Sequence, residues 1–240
     1  MRQKLALIAL PVLIPVGLLL YLSYTANAET IRVAQEEKKG LEYCRKIRKT
    51  LEHLQQHRGL ASMKSVDFAY RGQLTEKQAQ LEADLREVDA VDAKYGADFR
   101  TTEAWNKFRA EWTVLKNQSL TLAPDESLTR HNKLIADLIT VNTTAAEAST
   151  LVLDPAVDTY WLQLVLFDRS PEISDNIAEM RARIGSAVGR KTLSAEEAVK
   201  FEILAAQTRN TAGVIGRNLN SAYAYNPELK SKLEPANNEL

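Results

Sequence analysis

The sequence predicts an all-α protein, and two observations lead to this fold class. Glycine and proline are scarce, with 9 Gly and 7 Pro in 240 residues, which leaves few of the turns that a sheet-rich fold requires. Apolar residues recur at steps of three and four, without the alternation of period two that marks a half-buried strand. We therefore expect an N-terminal transmembrane helix followed by an elongated antiparallel bundle of the four-helix type, with two stacked modules as a variant.

A long uncharged run lies at the start of the chain. It extends from Leu5 to Tyr24 and would form about 30 Å of helix, which matches the hydrocarbon core of a bilayer. Arg2 and Lys4 precede this run, and the positive-inside rule then places the N-terminus in the cytoplasm. This pattern predicts a single span in the inner membrane, with the rest of the chain on the extracytoplasmic side.

The chain is expected to divide at the end of this run. Residues 1–28 are predicted to be the cytoplasmic start and the membrane anchor, and residues 29–240 the extracytoplasmic helical bundle. The small residues Ala26 and Ala28 fit a signal-peptidase site, so the alternative is a cleaved signal peptide and an exported helical protein.

Apolar seams predict the first helices of the bundle. The seam of a long helix over about residues 30 to 66 consists of Cys44, Ile47, Leu51, Leu54 and Ala61. A third helix is predicted from a stripe of Trp105, Phe108, Trp112 and Leu115, which we expect in the core. A fourth helix should follow Pro124, with Asp125 or Ser127 as its N-cap.

Capping signals predict three further helix starts. Thr75 with Gln78 and Ser194 with Glu197 have the spacing of a capping box. Ser170 before Pro171 offers a capping hydroxyl and a proline at the first helical position. Asp154-Pro155 and Asn226-Pro227 are expected to interrupt helices.

Charge and composition exclude several functional classes. The 31 Lys and Arg balance the 31 Asp and Glu, which argues against a nucleic-acid partner. The single Cys44 excludes a disulfide scaffold. Because no catalytic motif occurs, we expect neither an enzyme nor a cofactor within these residues. His53 and His57 are four apart on one helix, but a third metal ligand is absent from their neighbourhood, so no metal site is predicted.

Several short motifs occur in a characteristic order. They are Gln55-Gln56-His57-Arg58-Gly59, then Glu126-Ser127 with His131 and Leu134-Ile135, then Leu153-Asp154-Pro155 with Asp158-Thr159-Tyr160, then Pro171, then Arg181 with Gly185. Over residues 41 to 233 this order resembles the periplasmic helical sensor regions of bacterial methyl-accepting chemotaxis proteins and membrane-bound sensor histidine kinases. The resemblance implies a homodimer, and a second membrane helix with cytoplasmic signalling modules beyond residue 240.

The segment around Arg58 also resembles the nitrate- and nitrite-sensing helical domain, in which an arginine on the first helix binds the anion. This chain departs from that pattern because His57 stands where an acidic residue is usual before the arginine. The resemblance implies that Arg58 binds an anionic ligand. An ion pair with an acid of a neighbouring helix is the alternative, since a desolvated guanidinium requires some partner.

Six residues are candidates for ligand binding. They are Arg58, His57, His131, Asp154, Tyr160 and Arg181. For the segment from Asp154 to Trp161 the alternative is structural, with Asp154 forming a turn and the aromatic residues anchoring the next helix. Arg181 could equally extend along the surface into solvent.

These features together predict a sensor. We expect an extracytoplasmic bundle that binds a small or anionic molecule, or a periplasmic binding protein, and transmits a helix displacement across the membrane. The alternative is a membrane-anchored helical scaffold that docks a protein partner without sensing a ligand.

Overall fold

The computed structural model describes residues 2–62, 68–152 and 156–237, and these residues form helices joined by short turns. In chain order the helices are α1 (Arg2–Ser62), α2 (Phe68–Phe99), α3 (Thr102–Gln118), α4 (Pro124–Ala148), α5 (Val157–Gln163), a π-helix (Leu164–Arg169), α6 (Ser170–Arg190), α7 (Ala195–Tyr225) and α8 (Pro227–Asn237). The described residues contain no strand. The prediction of an all-α protein is confirmed.

The predicted membrane span is the main correction. In the portions of the chain described above, no helix combines the length and the apolar character needed to cross a bilayer. The predicted N-terminal span and inner-membrane location are therefore wrong.

The second half of α1 forms a four-helix bundle with α2, α3 and α4. Helix α1 packs on α4 and α2, and α3 closes the bundle against α4. The predicted seams point inward, since Cys44, Ile47, Leu51 and Leu54 on α1 are buried in the same core cluster as Trp105, Phe108, Trp112 and Leu115 of α3. Burial of these side chains, at about 1.5 to 3 kcal/mol each, supplies most of the driving force for this part of the fold.

A second layer consists of α5 to α8. Helix α6 lies against α1 and α4, and α7 packs on α5, the π-helix and α6. The capping box predicted at the start of α7 is confirmed, because the Ser194 hydroxyl accepts a hydrogen bond from the Glu197 amide and the Glu197 carboxylate accepts one from the Ser194 amide. Helix α7 ends at the predicted Asn226-Pro227 interruption.

Other predicted boundaries differ from the structure. Helix α2 begins at Phe68, so Thr75 lies within it, and its hydroxyl donates to the Arg71 carbonyl. Ser170 does not start a separate helix, because the backbone continues from α5 through the π-helix into α6. Helix α4 begins at Pro124 with Ala123 as N-cap, so Asp125 occupies its first turn. The predicted end of the first helix, at residue 66, and the predicted interruption at Asp154-Pro155 lie outside the described residues.

Candidate functional site

Five polar side chains meet where α1, α4 and α6 pack together, and we call them the polar cluster. They are His57 and Arg58 of α1, His131 and Asn132 of α4, and Asp175 of α6. Consecutive residues of a helix point about 100° apart. His57 therefore faces α4 while Arg58 reaches towards α6, so one turn of α1 contacts both layers.

The two histidines form a hydrogen-bonded pair with defined tautomers. Nδ1 of His131 lies 2.6 Å from the Ser127 carbonyl oxygen, so this nitrogen carries the proton and donates. Nε2 of His131 is then an acceptor and receives the Nδ1 proton of His57 over 2.8 Å. Both rings are fully buried, and that burial lowers the pKa of His131 to about 4 and the pKa of His57 well below its ordinary value. Both rings are therefore neutral at pH 7.

One nitrogen of this pair remains without a hydrogen bond. Nε2 of His57 is buried and lacks a partner among the residues that the structure describes. The His57 ring packs edge-on against Trp112, with ring centroids 5.1 Å apart. This aromatic contact fixes the ring but does not satisfy the acceptor nitrogen.

Arg58 is fully buried and connects α1 to both neighbouring helices. Its Nη1 lies 2.8 Å from the Asn132 side-chain oxygen and 2.9 Å from Asp175 Oδ1, and its Nη2 donates to the Asp175 carbonyl oxygen over 3.3 Å. Burial lowers the pKa of Arg58 and raises the pKa of Asp175. The internal ion pair is thus the arrangement that Arg58 adopts.

A cavity of about 420 Å³ lies beside the polar cluster, between α1 and the segment where the π-helix passes into α6. We call it the α1–α6 cavity. Most of its lining is apolar and comes from both sides: Cys44, Ile47, Leu51, Leu166, Phe167 and Pro171. Its volume falls within the usual range of about 300 to 1,000 Å³ for small-molecule sites.

The π-helix shapes one wall of this cavity. The Ser170 hydroxyl donates to the Val165 carbonyl, five residues earlier, over 2.7 Å. The Asn142 amide of α4 approaches the Phe167 carbonyl at 3.5 Å. Single π-helical turns inside α-helices are rare and occur frequently at functional sites.

Two hydrogen bonds connect the cavity wall to the polar cluster. Gln55 and Ser174 both line the cavity, and the Ser174 hydroxyl donates to Gln55 Oε1 over 3.2 Å. Gln55 Nε2 in turn lies 3.4 Å from Asp175 Oδ1, the oxygen that pairs with Arg58. A molecule that displaced the Gln55 side chain would therefore disturb the ion pair between α1 and α6.

The structure brings together three of the six predicted site residues, namely His57, Arg58 and His131. Tyr160 lies on α5, where its ring packs against Trp161 at 5.2 Å, and α5 contacts mainly α7 and the π-helix. Arg181 is exposed on α6 and lines a separate cleft with Gln55 and Ser174. Asp154 lies outside the described residues. The binding role of these residues stays a prediction.

Sequence reasoning missed Asp175 and the cavity. Asp175 has no distinctive spacing, and only the packing of α6 on α1 makes it the partner of Arg58. The sequence did contain one indication of the cavity, because Arg45 and Arg48 flank the apolar seam of α1 at a spacing of three residues.

The two histidines of α1 do not form a metal site. His53 turns to Asp84 of α2 while His57 faces α4, so the two do not converge. Across the described ranges no three His, Cys, Asp or Glu side chains form a group able to hold a metal ion.

Comparisons with protein-family models, with curated proteins and with solved structures found no match to this chain. The resemblance to bacterial helical sensor regions therefore stays a prediction from the short motifs.

Proposed function

We propose that this chain is a ligand-responsive helical module, in which a small molecule in the α1–α6 cavity changes how α6 packs on α1. The observation that carries this proposal is the position of the cavity between two layers of helices. A molecule bound there contacts α1 and α4 on one side, and the π-helix and α6 on the other. Its binding energy can therefore differ between two packing arrangements, as any ligand-driven change requires.

The contacts around the cavity supply a route for the response. Gln55 and Arg58, one turn apart on α1, both bond to Asp175 of α6. A ligand that competes for Gln55 weakens this link and allows α6 to move relative to α1. Packed helices typically move by about 1 to 2 Å in such transitions.

The π-helix gives this movement a hinge. It carries one residue more than an α-helix of equal length, and conversion into α-helix would rotate the following helix by about 100° per residue absorbed. Helix α6 follows it directly, and Phe167 of the π-helix packs against the main core. In our proposal the chain acts as the sensing part of a signalling protein of the kind that the motifs resemble.

Thermal unfolding of the full chain with a broad panel of small molecules tests this function. A ligand of the native state raises the midpoint, by RT ln(1 + [L]/Kd) in free energy. Ser174→Trp places a bulky side chain on the cavity wall, and Ser186→Trp makes the same change three turns later on α6, away from the cavity lining. We expect at least one compound to stabilise the wild-type protein and the Ser186→Trp variant, but not Ser174→Trp.

Circular dichroism of the two tryptophan variants shows whether each retains the helical fold. If no compound shifts the wild-type midpoint, or if Ser174→Trp responds as strongly as Ser186→Trp, the cavity is not the sensing site. The scaffold alternative, in which a protein partner docks without ligand sensing, predicts this insensitivity.

A further inference from the structure

We propose that the α1–α6 cavity takes an organic anion with an apolar body, and that Arg45 and Arg48 hold its charged group. This inference rests on the proposed function, because it names the class of ligand for the same cavity. It depends on the juxtaposition of two arginines at the mouth of an apolar cavity.

The interior of the cavity favours hydrocarbon. Cys44 and Ile47 of α1 form its inner wall and are almost fully buried, and Phe167 covers them from the π-helix. An apolar group that enters leaves water, which is favourable in proportion to the apolar area that becomes buried. The polar side chains Asn142 and Ser170 already bond to backbone carbonyls, so they require little from a ligand.

Two positive charges lie at the mouth of the cavity. Arg45 and Arg48 are exposed and three residues apart, which places them on the same face of α1. Neither has an acidic partner in the parts of the chain that the structure covers. The one acid on the cavity lining, Glu52, accepts a hydrogen bond from Gln56 instead.

The lysines that alternate with these arginines, on the opposite face of α1, do have acidic partners. Lys46 pairs with Glu87 of α2 at 2.7 Å, and Lys49 pairs with Asp84 of α2 at 2.9 Å. The arginines that alternate with these lysines face the cavity and have no such acidic partners. Two neighbouring arginines beside an apolar cavity suit a carboxylate, which accepts several guanidinium hydrogen bonds at once.

Matched eight-carbon probes separate charge from hydrophobicity. We would titrate the full chain with octanoate, octan-1-ol and octylamine by calorimetry, and with benzoate as a second carboxylate. We expect octanoate or benzoate to bind at least about tenfold more tightly than the alcohol and the amine, because only a carboxylate accepts charge-assisted hydrogen bonds from the two arginines. Higher salt should weaken the carboxylate but not the alcohol.

Two double variants assign the charge to the cavity mouth. Arg45→Gln with Arg48→Gln should weaken carboxylate binding about tenfold. Arg209→Gln with Arg217→Gln makes the same change in net charge on exposed positions of α7 and should leave binding within about twofold. Equal binding of all three eight-carbon probes, or equal loss in both double variants, would overturn the anion assignment.

The single thiol of the chain reports where the probe binds. Cys44 lines the cavity and is 2% exposed, and its burial raises the pKa of the thiol to about 12, so its reaction with N-ethylmaleimide is slow. A bound carboxylate should slow that reaction further, in proportion to its occupancy. Carboxylate binding without protection of Cys44 would place the site elsewhere and contradict the inference.

The same assay distinguishes this inference from the proposed function. If another compound of the broad panel protects Cys44 while every carboxylate fails, the ligand class is wrong and the proposed function survives. If no compound protects it, both fail.

Discussion

Arg58 shows how strongly one residue depends on its partners. Its guanidinium has no contact with solvent, and its charge is matched by Asp175 of α6 and by the Asn132 amide oxygen. Changing Arg58 to Ala leaves a partly buried carboxylate without its cation, and removal of one member of a buried pair typically costs about 3 to 5 kcal/mol. We expect a loss of this size in the free energy of unfolding, measured with urea.

A compensated variant tests whether the charge is the cause. Arg58→Met with Asp175→Asn removes both charges and keeps most of the volume, so it should recover part of the loss seen in Arg58→Ala. If the double variant is as unstable as Arg58→Ala, packing of the arginine side chain rather than its charge holds α6 on α1.

The buried histidine pair predicts a dependence of stability on pH. Burial lowers the pKa of His131 from 6.5 to about 4 in the folded protein. The unfolded chain therefore binds a proton at higher pH than the folded protein, so stability is complete above about pH 6.5 and falls as the pH decreases towards 4. For His131 alone, the free energy of unfolding should decrease by about 2 kcal/mol between pH 6.5 and pH 4.5.

Urea unfolding at several pH values measures this decrease. The variant His131→Gln cannot titrate at this position, so its stability should depend less on pH over the same interval. Equal slopes in the two proteins would show that the pair is not buried in its neutral form.

The site was predictable only on α1 and in part on α4. His57 and Arg58 lie next to the apolar seam, so their burial follows from helical spacing. The partner of Arg58 is not predictable in this way, because Asp175 is one acid among 31 and becomes special only through the contact of α6 with α1. The unpaired arginines of the cavity are likewise defined by which acids the other helices place nearby.

At the scale of helices, Gly40 of α1 packs tightly against Ser149 and Leu151, which follow α4. A Cβ atom at this position would overlap the Ser149 side chain and lie 2.9 Å from Leu151 Cδ1. We expect Gly40→Ala to destabilise the fold by about 1 to 3 kcal/mol, because overpacking forces the helices apart. Thermal or urea unfolding measures the effect, and Ser149→Gly in the same chain should restore part of it.

The same helix offers a matched control. A Cβ at Gly59 would have no neighbour within 4 Å, so Gly59→Ala should not strain the packing. Alanine is favoured over glycine in a helix by about 0.8 to 1 kcal/mol, and this variant should be as stable as the wild type or more so. Similar destabilisation by both substitutions would indicate a general sensitivity of α1 rather than a close contact at Gly40.

Helix boundaries were predictable where a local signal was reinforced by tertiary packing. The capping box at Ser194 and Glu197 is formed because the chain reverses there between α6 and α7. Thr75 with Gln78 has the same spacing but lies inside α2, where Gln78 instead bonds to the Ser119 hydroxyl near the end of α3. At Ser170 the helical backbone continues. The Ser170 hydroxyl, which was predicted to cap a helix, donates instead to the Val165 carbonyl of the π-helix.

On the scale of the whole molecule, the apolar core is unevenly divided between the two layers. The largest fully buried side chains all belong to α1 to α4, including Trp105, Trp112 and Phe108. In the described part of α5 to α8, the buried apolar residues are Val165, Ala182, Ala187, Leu204 and Ala222. Small side chains bury less apolar area, so the second layer gains less free energy from packing.

This division predicts that the second layer opens before the bundle does. Regions with little buried apolar surface exchange amide hydrogens through partial unfolding of lower free energy than global unfolding. Hydrogen exchange followed by mass spectrometry in low urea should show an opening free energy for α7 a few kcal/mol below that of α1 and α4. Helix α6 should behave like α7, except near Asp175, where Arg58 anchors it.

Two leucine variants separate the layers. Leu204 of α7 and Leu54 of α1 are both buried. Changing either to Ala should lower the free energy of unfolding of the region it packs in by about 2 to 5 kcal/mol. If the layers unfold in sequence, Leu204→Ala lowers the opening free energy of α6 and α7 and leaves exchange from the core of α1 and α4 nearly unchanged until global unfolding. Leu54→Ala lowers the protection of both layers, because α6 has no support once the bundle unfolds. A uniform change in every helix for both variants would show that α1 to α8 unfold as one cooperative unit, and a ligand at the α1–α6 cavity would then stabilise all helices equally.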